Sequence, residues 1–163
     1  MEMMRSAFSG WLRIAAVLFL AAGLAMPAVP AIKNMAVVVS IGSRLSDVPL
    51  ADLVKLCKGT QKTWPDGKSF TLVIRDPGSA EMRVATQKLF GATGIDAKAV
   101  ISKLNEGRET VKIVDSDEDL LRTVGATPGA VGIVDVYAIN SSVKVLRLDG
   151  KLPFDVGYAL KGN

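Results

Sequence analysis

Thr71-Leu-Val-Ile-Arg-Asp-Pro-Gly-Ser79 decides how this chain is read. An apolar run at 70–74 stops at an arginine, a Pro-Gly turn follows, and a serine then stands where it can cap a helix running to about Phe90. A strand therefore hands over to a helix start with a guanidinium beside it. Exposed backbone N–H groups, the Ser79 hydroxyl and Arg75 can all address one point, which is the minimal recipe for holding an oxyanion such as phosphate. Gly78 is expected to give the backbone its tight turn and to let a ligand approach closely. Asp76 and Glu81 oppose this reading, because both would repel an anion within a Debye length of about 8 Å.

Outward from this stretch, strands alternate with helices. Strands are predicted at 36–40, 70–74, 111–114, 130–134 and 143–148, and helices at 50–58, 79–90, 96–104 and from Ser116 to about Val124. Ala36-Val-Val-Val-Ser40 is continuously apolar and β-branched, which suits a strand covered on both faces in a parallel sheet. Pro49 suits the first helical position, and Gly59 the position after the helix. Ser116 with Asp119 three residues on forms a capping box, and residues 154–160 read as a partly extended tail. The expected fold is α/β, one three-layer domain with a mostly parallel central sheet. Ligands gather outside the carboxyl ends of such strands, which nominates Arg75–Ser79 and also Ser40 to Ser43.

Residues 14–26 are uncharged and almost wholly apolar, behind a leader bearing Arg5 and Arg13 and ahead of small residues near Ala28 and Ala31. This reads as a signal peptide over 1–31, cut after Ala28 or Ala31, with the domain at 32–163. The run is shorter than the roughly 20 residues of a spanning helix, so an uncleaved anchor is the lesser alternative. The protein is expected to be exported, to the periplasm or the cell exterior. The formal net charge of +4 is interspersed rather than clustered, which gives no nucleic-acid footprint.

A single cysteine, Cys57, allows no internal disulfide, and its place on an apolar helical face reads as a buried thiol. Histidine is absent, which removes Ser-His-Asp and Cys-His machinery and histidine-ligated metals. The acidic run Asp115, Asp117, Glu118, Asp119 reads as a solvated face matched to a helix dipole rather than as a cation site. Trp64 reads as a packing residue. No catalysis, cofactor or metal is expected.

Four stretches in order carry a family resemblance. These are Ala36-Val-Val-Val-Ser40, then Leu50-Ala-Asp-Leu-Val-Lys-Leu-Cys-Lys-Gly59 with Lys62-Thr-Trp64, then Arg75-Asp-Pro-Gly-Ser79, and Ala126-Thr-Pro-Gly-Ala-Val-Gly-Ile-Val134. The chain resembles the phosphate-binding proteins of bacterial ABC importers, of the type 2 periplasmic-binding-protein superfamily, and matches one lobe. The resemblance implies that Arg75, Gly78 and Ser79 contact phosphate or a related oxyanion, with Ser40 a further candidate. It also implies an ABC permease, with its ATPase, or a second lobe or subunit as partner. The family loop continues Gly-Thr where this chain has Ala80 and Glu81. An exported interaction module that kept the fold and lost the ligand is the other reading.

Overall fold

The computed structural model describes residues 33–162. The signal-peptide reading of 1–31 and its cleavage point lie outside the described residues.

Five strands form the central sheet: β1 (Met35–Ser40), β3 (Thr71–Ile74), β4 (Val111–Ile113), β5 (Ala130–Asp135) and β6 (Val143–Val145). Their spatial order is β4-β3-β5-β1-β6. β3 pairs in parallel with both β4 and β5, whereas β1 pairs antiparallel with both β5 and β6. Four strands thus share one direction, and β1 alone runs against them. The short strands β2 (Asp47–Val48) and β7 (Arg147–Leu148) pair in parallel as a separate ribbon. Four α-helices accompany the sheet among the described residues: α1 (Leu50–Cys57), α2 (Arg83–Phe90), α3 (Gly94–Leu104) and α4 (Asp117–Ala126).

Alternation along the strands builds two cores. Val37, Val39, Leu72, Ile74, Val131 and Ile133 join Leu53, Leu89 and Ile101 from the first three helices. The intervening Ala36, Val38, Val73 and Val134 join Leu120, Leu121 and Val124 of α4. The sheet is therefore the middle of three layers, and β1 is buried on both faces although it is the antiparallel member. The both-faces-buried pattern reported burial correctly but not direction.

Local chemistry explains the element ends. Ser116 Oγ accepts the Asp119 amide at 3.1 Å, and Asp117, Glu118 and Asp119 fill the first turn of α4, where carboxylates complement the dipole. Pro49 sits one position earlier than expected, as N-cap with an extended ψ of 136°. Since proline has no side-chain acceptor, Asp149 accepts the Leu50 amide at 3.1 Å from the far side of the β2–β7 ribbon. The predicted strand at 143–148 is interrupted at Leu146, whose amide donates to Val37 O at 2.8 Å before the chain leaves the sheet for β2. The tail at 154–160 is built of turns, and the bridge between Asn34 and Lys161 brings the two ends of the described chain together.

Cys57 is fully buried beside Leu53 and Leu56, and burial pushes its thiol pKa up. Trp64 is buried edge-on against Phe70, with ring centroids 5.6 Å apart. Its indole N–H donates to Gly129 O at 2.9 Å.

Tyr158 is also buried, and desolvation of its phenolate pushes its pKa up to about 12. An unfolded tyrosine ionises near pH 10. The unfolded chain therefore sheds this proton first, and stability present below about pH 10 is lost as pH rises toward 12. A gap of that size corresponds to roughly 2–3 kcal/mol. Urea midpoints measured across pH 9–12 should fall less steeply in Tyr158→Phe than in the parent, and parallel curves would refute this.

Candidate functional site at the carboxyl edge of β3

β3 delivers Arg75 at the sheet edge. Ile74 faces the core shared with α2, so by alternation Arg75 faces the α4 side. There its guanidinium donates to Asp117 Oδ1, in the first turn of α4, at 3.4 Å, with the arginine side chain 38% exposed. One long contact to one carboxylate oxygen leaves most of the five guanidinium donors free.

The loop after Arg75 is braced from within. Asp76 Oδ1 accepts the Gly78 amide at 2.9 Å and the Lys98 ammonium at 2.9 Å. The Lys98 hydrogen bond, followed by that of the Gly78 amide, lowers the Asp76 pKa. Gly78 does stand in a tight turn, closed by the Ser79 amide donating to Asp76 O at 3.0 Å, but its φ is not positive, so the turn itself does not demand glycine. A Cβ at Gly78 would lie 2.7 Å from Lys98 Cε, so glycine makes room for the lysine laid across the turn.

The helix expected from Ser79 starts later, at Arg83, with Met82 as N-cap. Ser79 Oγ accepts the Met82 amide at 3.4 Å, so the serine organises a loose turn over Ala80–Met82 instead of capping a regular helix. The Arg83 amide reaches back to Ala80 O at 3.4 Å. Among the described residues, the amides of Ala80 and Glu81 find no hydrogen-bond acceptor. With the Ser79 hydroxyl proton and Arg75, these are the donors open to an anion.

The Glu81 carboxylate pairs with Lys33 at 2.6 Å, and Lys33 also lies 3.7 Å from Asp135 at the end of β5. The Glu81 hydrogen bond raises the Lys33 pKa; desolvation opposes it, and Asp135 and Asp117 add their fields. Arg75, Asp117, Lys33, Glu81 and Asp135 form one charge cluster. The repulsion expected from Glu81 is largely neutralised by a lysine that the sequence did not nominate. No local signal marked Lys33. It reaches this edge because β1 runs antiparallel, which puts the start of β1 beside the ends of β3 and β5.

The same reversal removes Ser40 from the site. Continuing the register sets Arg75 level with Ala36, and Ser40 is four residues further, about 13 Å along the strand. Ser40 Oγ donates to Gly125 O at 3.3 Å and lines a separate hollow of about 310 Å³ with Gly42, Ser43 and Lys68. The expectation that Ser40 to Ser43 and Arg75–Ser79 share an edge is thus corrected.

Three layers around a mostly parallel sheet with one reversed strand make up the α/β architecture that positions this site. No protein-family model matches the chain. It is 34% identical over 83 residues to phosphate-binding protein PstS 2 of Streptococcus agalactiae serotype V, an alignment covering 51% of this chain and 27% of that protein. In fold it is similar to an ABC-type phosphate transport receptor from Vibrio cholerae, at a TM-score of 0.62 and 20% identity, over 80% of this chain and 54% of the receptor. PstS from Borrelia burgdorferi gives 0.58 and 15% identity, over 80% and 55%. The chain thus resembles ABC-importer phosphate-binding proteins in sequence and fold, and spans about half the length of the two receptors. Among the described residues, no helix is long and apolar enough to cross a membrane.

Proposed function

We propose that this protein is an exported, single-lobe relative of the phosphate-binding proteins that holds phosphate or a similar oxyanion without chemistry. The loop Arg75–Glu81 carries the reading: guanidinium donors, the Ser79 hydroxyl proton and two backbone amides, none with an acceptor among the described residues apart from the one Arg75–Asp117 contact, stand at one sheet edge. An entering oxyanion takes the place of Asp117 on Arg75. Gly78 contributes space rather than its amide, which Asp76 already occupies. An ABC permease or a second lobe or copy is the partner this role implies, in the periplasm or outside the cell.

The cluster holds two cations against three carboxylates, so binding is expected to be weak. A millimolar Kd corresponds to about −4 kcal/mol, the scale of two or three charge-assisted hydrogen bonds. At about 20 mM phosphate, such a site stabilises the fold by about 1.8 kcal/mol, read as several degrees of melting temperature. Arg75→Ala should abolish the shift at matched ionic strength. Asp117→Asn, which removes the competing charge, should enlarge it. Absence of any shift in both the parent and Asp117→Asn would reject anion binding. The Arg75–Asp117 pair favours a second reading in that case: an exported interaction module in which a carboxylate permanently fills the anion's place.

A further inference from the structure

A second cavity, of about 470 Å³, opens at the other end of β3, on the face that carries α1 and α3. Its rim carries Lys58 and Lys62 from the segment ending α1, Lys103 from the last turn of α3, and Arg108. Val100 and Leu104 of α3 supply an apolar wall. No carboxylate lines it, and none of these four cations makes an ion pair among the described residues. Glu106 and Glu109 belong to the same loop as Arg108 but do not line the cavity.

Helix ends attract lysines for ordinary reasons, but that explanation falls short here. The terminal carbonyls of α1 and α3 are taken by backbone amides: Lys58 to Val54, Thr60 to Lys55, and Asn105 to Ile101. No lysine ammonium at the rim donates to a described acceptor. Two helix C-termini contribute about half a negative charge each, which leaves most of the four positive charges unbalanced. The wall is also held in place. Asn105 Oδ1 accepts the amides of Thr110 and Val111 at 2.9 and 3.0 Å, and its amide group donates to Val111 O at 2.7 Å. The Arg108 guanidinium donates to the carbonyls of Lys62 and Phe70, which fixes its position without neutralising it.

We propose that this cavity binds a small organic phosphate ester, its anion among Lys62, Lys103 and Arg108 and its apolar group against Val100 and Leu104. The volume lies within the range of small-molecule sites, and inorganic phosphate alone would leave the apolar wall uncovered. The site is separate from the Arg75 edge, about five residues away along β3, or roughly 16 Å.

The test is titration calorimetry of the full chain with 1-naphthyl phosphate, against 1-naphthol and inorganic phosphate. The ester should bind at least tenfold tighter than either, and more weakly as salt is raised. Lys62→Glu with Lys103→Glu should weaken the ester tenfold or more, and the Gln pair, which avoids charge repulsion, should weaken it to a lesser degree. Arg75→Ala should remove only the weak, millimolar binding that the ester shares with inorganic phosphate and leave the tighter ester binding in place. Tighter ester binding that survives the Glu pair, that is lost in Arg75→Ala, that is matched by naphthol, or that is absent at millimolar ester overturns the proposal. Phosphatidylglycerol vesicles distinguish the source. Recruitment of the parent that naphthyl phosphate displaces supports a lipid headgroup, and ester binding without recruitment supports a soluble ester.

Discussion

Gly129→Ala is expected to destabilise the fold by about 3 kcal/mol or more. Gly129 sits at φ +82°, where any Cβ is strained, at a cost of about 1 kcal/mol or more. Its surroundings make the substitution worse still. A Cβ there would stand 2.3 Å from the Ser69 carbonyl oxygen, which is backbone and cannot rotate away. Ser69 leads into β3, and Gly129 leads into β5, its parallel partner. Relief of the collision requires the two strand starts to part, which would also break the Trp64 hydrogen bond to Gly129 O. Gly150→Ala is the control, because φ there is +75° and nothing lies within 4 Å of the added carbon. Urea denaturation of both variants separates strain from collision. Equal losses at the two positions would refute the account.

Gly132→Ala is expected to cost about 3 kcal/mol through packing alone, since its φ is not positive. An added Cβ would lie 2.6 Å from Leu120 Cδ2, 2.8 Å from Val124 Cγ2 and 3.1 Å from Val38 Cγ2. Leu120 and Val124 are fully buried in the α4 layer, so neither can swing into solvent. The glycine is what lets α4 lie close on the sheet. That closeness also sets where the first turn of α4 delivers Asp117 to Arg75. Leu120→Ala should destabilise the parent by about 2–5 kcal/mol, yet cost much less in the Gly132→Ala background, where it opens room for the new methyl. Strict additivity of the two changes would show that the contact is not the cause.

Both glycines stand in Ala126-Thr-Pro-Gly-Ala-Val-Gly-Ile-Val134, one of the four stretches that carried the family resemblance. Their spacing was visible, but the reason for it was not, because the atoms they avoid belong to residues 38, 69, 120 and 124.

Periodicity along the chain was enough to settle most elements, the α/β class and the burial of Cys57. Those properties follow from side chains three or four apart on a helix, two apart on a strand, or adjacent to a cap such as Ser116. Arg75 and Ser79 were legible for the same reason: a strand, a turn and a serine adjoin in sequence. The direction of β1, the loss of Ser40 from the site, the arrival of Lys33 and the Asp117 contact were not legible. Each depends on register between strands far apart in the chain, and an apolar strand buried on both faces reads the same in either direction. Folding alone chose that direction, and with it which charges meet at Arg75.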